Sequence, residues 1–141
     1  MTDAFGLERF VEAQAPVYRQ ALEELRSGAK RGHWMWFVFP QLRGLGRTST
    51  ANFYGISGRE EAQAYLAHPL LGARLRECTA AMLEHADKRS ARKVLGFTDA
   101  LKFRSAMTLF EAVADDPAVF ARALDAFYDG ERDLTTLEML G

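Results

Sequence analysis

The chain has 141 residues, with 48% hydrophobic content, enough to close one core that buries ~68% of its unfolded surface without metal or disulfide. Lys and Arg number 18 against 19 Asp and Glu, a formal net charge of −1, which excludes a general nucleic-acid or membrane-surface binder because both need a surplus of cations on one face. The single cysteine, Cys78, excludes an internal disulfide and a cysteine-based zinc cage, and fits a reducing compartment.

Residues 5–27 place Leu7, Phe10, Val11, Gln14, Tyr18, Ala21, Leu22 and Leu25 at spacings of three and four, which predicts an amphipathic helix ended by Gly28 as a left-handed C-cap. Pro16 removes a backbone donor within this pattern, so the segment is either one bent helix or two pieces. Residues 30–42, Lys-Arg-Gly-His-Trp-Met-Trp-Phe-Val-Phe-Pro-Gln-Leu, hold both tryptophans together with Phe37 and Phe39. Rings at that density belong in the centre of a core, the floor of a pocket, or both. As a strand the stretch would be apolar on both faces; as a helix it gathers His33, Trp36 and Phe37 and ends at Pro40. The scarcity of other strand candidates favours the helix. Gly44-Leu-Gly46 and the residues to Thr50 read as a hydrogen-bonding loop able to approach a phosphate, or as a plain turn.

Ser57-Gly-Arg-Glu60 reads as a capping box opening a helix to Ala67. His68 then acts as N-cap, with Pro69 at the first helical position, for a helix to about Asp87 that buries Leu71, Leu75, Cys78 and Met82. Ser90 caps a short helix ended by Gly96, Thr98-Asp99 caps one running to Ala114, Asp116-Pro117 starts one closed by Gly130, and Asp133 caps the last, Leu134 to Leu140. The expected fold is all-α, a single compact bundle of about six to eight short helices over residues 1–141. No apolar run reaches the ~18–20 residues of a membrane span and the N-terminus lacks the basic segment of a signal peptide, so a cytoplasmic location is expected.

No Walker loop, dinucleotide fingerprint, paired-histidine metal motif or Gly-x-Ser-x-Gly elbow is present. Three histidines scattered at 33, 68 and 85 predict no metal centre, and no cofactor is implied. Two polar groups remain. Lys30, Arg31, His33, Trp34, Trp36, Gln41 and Tyr54 surround the aromatic stretch, and cations with an amide against rings suit a flat anionic ligand. Asp99, Lys102, Arg104 and Ser105 occupy the first turns of one helix; Asp99 and Lys102 form a surface ion pair, or Lys102 or Arg104 reaches across to a phosphate. Asp133, with Thr135 and Thr136, either caps a helix or holds a ribose diol or a water.

Phe10-x-x-Ala13-Gln14, the run Lys30 to Gln41, Ala51-x-x-Tyr54-Gly-Ile56, Tyr65-Leu-x-His68-Pro69 and Asp99-x-x-Lys102-x-Arg104-Ser-x-Met107 resemble a bacterial family catalogued as domain of unknown function 1810, over nearly the whole chain. Gly32 stands where relatives carry Ser. A fainter similarity, in Glu61 with Tyr65, Asp99 with Lys102, Met107 and Phe110, and Gly130 with Asp133, is to a superfamily associated with NAD and ADP-ribose whose members act as N-glycosidases. It implies a pocket for a ribose phosphate and a carboxylate, Glu61 or Asp99, to stabilise an oxocarbenium-like state. Two functions follow as expectations: a nucleotide- or ADP-ribose-type site in which Trp34 or Trp36 stacks on a base and Lys30, Arg31 and Lys102 meet phosphates, or a non-catalytic module holding a partner protein through exposed aromatics with Arg43 and Arg47.

Overall fold

A computed structural model describes residues 3–141; Met1 and Thr2 lie outside the described residues. Ten helices follow one another among the described residues: α1 (Glu8–Gln14), α2 (Tyr18–Ser27), α3 (Met35–Val38), α4 (Ser49–Tyr54), α5 (Arg59–Ala67), α6 (Leu71–Leu83), α7 (Ala91–Leu95), α8 (Phe97–Val113), α9 (Ala118–Tyr128) and α10 (Leu134–Leu140). The class is the expected one, but ten exceeds six to eight. Pro16 breaks the first helix into α1 and α2, since it offers no amide to continue the ladder. Ser49 and Thr50, expected as the end of a loop, instead open α4, because the Thr48 hydroxyl accepts the Ala51 amide at 3.0 Å. The aromatic stretch is the expected helix, shortened to the single turn of α3.

Cap chemistry sets the other boundaries. Gly28 ends α2 at φ 82°, where an L side chain is strained, while Ser90 and Asp133 cap α7 and α10 through the amides of Lys93 and Thr136. His68 accepts the amides of Leu70 and Leu71 at 3.2 Å through Nδ1 as a cap would, yet the helix begins at Leu71 and stops at Leu83. The carboxylate that reaches back over the start of α5 belongs to Glu61 and not Glu60: its Oε1 accepts the Ser57 amide at 2.8 Å. Asp99 lies within the first turn of α8, whose N-cap is Gly96.

α8 is the central element, packed by α5, α7, α9 and α10. Ser105 to Phe110 is buried on every side, the expected pattern for a helix enclosed by others rather than lying on a surface. Aromatic edges tie its flanks: Phe103 meets Phe39 at 4.8 Å and Phe110 meets Tyr65 at 5.4 Å. Gln14 is fully buried, donating to the Phe37 carbonyl at 2.7 Å, and so serves the core.

One guanidinium holds the N-terminal third to the rest. Arg9 donates to the carbonyls of Phe5, Gly6, Phe53 and Gly55 and pairs with Glu61 at 2.7 Å. Both partners are largely buried, so removing one strands the other's charge. Arg9→Ala is expected to lower unfolding free energy by about 3–5 kcal/mol, read from the urea midpoint; Arg9→Lys should recover less than half, because one ammonium cannot span acceptors on three segments.

Candidate functional site

The site is built on a carboxylate one segment upstream of the rings. Glu24, on the last turns of α2, accepts through Oε1 the amides of Arg31 (2.8 Å) and Gly32 (2.9 Å) and the Trp34 indole N–H (2.9 Å), while Oε2 accepts from Gln20. Burial alone would push this carboxyl up, but the donors outweigh it and hold its pKa at about 2. The loop therefore arrives with Trp34 facing inward, 1% exposed. Two residues on, roughly 200° around a helical turn, Trp36 faces outward and is half-buried.

Charge then links this loop to α8. The Lys30 ammonium, its side chain 7% exposed, pairs with Asp99 at 2.9 Å, donates to the Gly32 carbonyl and lies 5.0 Å from the Trp34 ring centroid. Lys102 completes the triad, 3.5 Å from the other Asp99 oxygen and 3.5 Å above the Trp36 ring centroid. Two cations share one carboxylate, and the indole face stabilises the surplus positive charge.

Beside that ring lies a cleft of about 380 Å³ between the 41–46 loop, α8 and the start of α10. Its polar walls are Gln41, Thr98, Lys102, Ser105, Asp133 and Thr135, and its apolar ones include Trp36, Leu45 and Leu101. The loop is pinned by paired bonds, Arg43 N–H to the Ile56 carbonyl (2.8 Å) and Ile56 N–H to the Gln41 carbonyl (2.9 Å). Gly46 lets it pass: a Cβ there would fall 2.6 Å from that of Ala51, with the Trp36 ring on the same side.

Asp133 is the best-oriented carboxylate in the cleft. Its Oδ2 accepts from Ser105 Oγ (3.0 Å), from the Thr136 amide (3.3 Å) and from the Thr136 hydroxyl, and its own amide donates to Thr108 Oγ1 (2.9 Å). With Oδ2 carrying all of these, Oδ1 has no hydrogen-bond donor among the described residues. A carboxylate held so and open on one oxygen can accept from a diol, position a water or face a developing cation.

Of the residues singled out in the sequence, Trp36, Gln41, Lys102 and Ser105 come together here, with Lys30 and Asp99 directly behind Lys102. Trp34 is sealed inside. Arg31 contributes its backbone amide, and the side chains of Arg31 and His33 are exposed without a hydrogen bond among the described residues. Tyr54 packs with Phe53, Phe37 and Phe10 away from the cleft. Glu61 is occupied on both oxygens by Arg9 and the Ser57 amide and borders a separate depression with Phe5. Arg104 faces the hollow on the far side of Asp133. Glu24 escaped sequence reading because it lies on the polar side of α2, seven and eight residues from the amides it collects, a pairing no periodicity marks. No group of three or more His, Cys, Asp or Glu side chains among the described residues could hold a metal ion, and no described helix is long and apolar enough to cross a membrane.

The family model for proteins of unknown function DUF1810 matches residues 4–140. The chain belongs to this family. The DUF1810 fold seen here is also that of the conserved hypothetical protein Rv1873 from Mycobacterium tuberculosis, whose crystal structure at 1.38 Å matches with a TM-score of 0.95 and 54% identity, covering 98% of each chain. No curated protein matches.

The depressed Glu24 pKa carries a sign. A carboxylate whose folded pKa lies below its unfolded value adds stability above the unfolded pKa, lost as pH falls through the folded one. From 4.5 down to about 2, and after allowing for screening at a part-exposed group, about 2 kcal/mol should disappear across that window. Glu24→Gln should remove this part of the acid dependence and loosen the Trp34 environment, measured by denaturation and indole fluorescence between pH 6 and 2.

Proposed function

We propose that this DUF1810 protein binds a ribose-containing nucleotide or ADP-ribose-type ligand in the Trp36–Lys102–Asp133 cleft. The observation that carries the reading is the convergence of a part-exposed indole, an ammonium with an amide, and a carboxylate fixed on one oxygen and open on the other around one cleft of about 380 Å³. An aromatic edge suits a base, Lys102 suits phosphate, and Asp133 with Gln41 and Thr135 suits the hydroxyls of a ribose. Lys102 covers one face of Trp36, so a base would lie against the exposed edge or displace the ammonium toward the ligand's phosphate. The reaction class this arrangement would serve is cleavage of an N-glycosidic bond, with Asp133 opposite the developing oxocarbenium charge or orienting the attacking water. In this reading Asp99 acts as a positioning residue, holding Lys30 and Lys102.

Thermal-shift titration with ADP-ribose, NAD and AMP tests it. A ligand at one hundred times its Kd adds about 2.7 kcal/mol, a rise of roughly 8 °C for a chain of this size. Gln41→Ala should weaken that rise while leaving the unliganded midpoint within about 2 °C, and Lys102→Ala should weaken it with an unliganded midpoint a few degrees lower, since it also gives up its contacts with Asp99 and Trp36. A flat response across the panel would overturn the proposal, and would favour a partner-protein surface around the exposed Phe97, Leu101 and Leu134.

A further inference from the structure

Arg104 stands apart from the other arginines around the core. Arg9 satisfies its guanidinium with five acceptors and Arg132 donates to Glu111, Asp125 and the Gly130 carbonyl. The Arg104 side chain is only 29% exposed, its Nε is buried without a partner, and none of its N–H groups makes a hydrogen bond among the described residues. The nearest carboxylate, Glu131, is 4.0 Å away and 78% exposed, and the Tyr128 ring centroid is at 5.9 Å. A guanidinium carries five donors and no acceptor; only the Nε of Arg104 is buried, so its terminal nitrogens stay open to an incoming anion that would replace an exposed carboxylate held no nearer than 4.0 Å.

The surroundings show where such an anion would sit. Arg104 borders a hollow of about 530 Å³ together with Glu131, Arg132, Asp133, Leu134 and Thr135. Asp133 and Thr135 are also walls of the Trp36 cleft, so the two hollows meet at one carboxylate and one hydroxyl. Of the acids nearby, Glu111 and Asp125 pair with Arg132 and Asp133 receives its donors on Oδ2, while Glu131 lies 4.0 Å from Arg104 and points largely to solvent, 78% exposed.

We infer that Arg104 is an anion receptor that takes a phosphate group of a ligand lying across both hollows, its sugar at Asp133 and its base end toward Trp36. The ligand is then a phosphorylated ribosyl compound, discriminated from the corresponding neutral nucleoside by the Arg104 contact. This placement of the ligand rests on the function proposed above; the anion site itself does not.

The test uses Arg104→Met, which keeps the aliphatic bulk and deletes the donors, in two parallel titrations of the full chain. With inorganic phosphate, the native protein should show a saturable rise in melting temperature that Arg104→Met weakens about tenfold or more in apparent affinity, as for loss of a charge-assisted bond, while Arg19→Ala, on the exposed face of α2, retains it. With matched ligands, ribose 5-phosphate and ADP-ribose should lose affinity in Arg104→Met whereas adenosine should not. The unliganded Arg104→Met protein should melt within about 2 °C of the native one, because only a 4.0 Å pair with an exposed carboxylate is lost. Equal phosphate responses in native and Arg104→Met proteins would overturn the receptor role. A phosphate response that Arg104→Met abolishes, with no response to any ribosyl ligand, would uphold the anion site and sink the ribose reading alone.

Discussion

One oxygen atom organises the loop from which the Trp36 cleft is built. Glu24 Oε1 gathers two consecutive backbone amides and the Trp34 indole N–H, three donors that would otherwise have to be satisfied by water at the edge of the core. A carboxylate supplied by the preceding helix fills the concavity that the 31–34 backbone forms, the same geometry that elsewhere receives a phosphate. The loop is thus closed to an external anion at that point. Its work is to deliver Trp34 into the core and turn Trp36 toward solvent on the opposite side of the following turn.

From that loop the order of charges runs inward. Lys30 is too buried to be left unpaired, and Asp99 on α8 answers it, so the aromatic loop and the central helix are joined by an ion pair of low exposure. Such pairs bring specificity of register more reliably than net stability. Here the register sets Lys102 over Trp36 and Ser105 against Asp133. The cleft is a consequence of three placements, made by α2, α8 and the cap of α10, and no single segment of the chain encodes it.

That division explains how much could be read from the residues alone. The all-helical class followed from apolar spacing, and the caps at Gly28, Ser90 and Asp133 from local backbone chemistry, because each depends on neighbours within four residues. The short helices were less legible: α4 opens on a Thr48 cap inside a stretch rich in turn-forming residues, and α3 keeps only one turn between the Glu24 anchor at Trp34 and Pro40. The aromatic stretch and the Lys102–Ser105 segment are 60 and more positions apart in sequence and read there as two separate polar groups, the second as an Asp99–Lys102 ion pair or a reach across to a phosphate; the fold is what brings Trp36, Gln41, Lys102 and Ser105 to one cleft. Glu61 drew attention as a carboxylate on a helix start, whereas its partner Arg9 lies 52 positions away and leaves no local trace.

The two indoles offer the most direct measurement. Trp34 is sealed in the core on Glu24 while Trp36 lines the cleft, so a ligand in the cleft must act on one and spare the other. In nitrogen-15 correlation spectra recorded as ADP-ribose is added, the Trp36 indole signal should move in a saturable way, while the Trp34 signal, bonded to Glu24, stays in place. Stationary signals for both, or equal movement of the two, would contradict a binding cleft at Trp36.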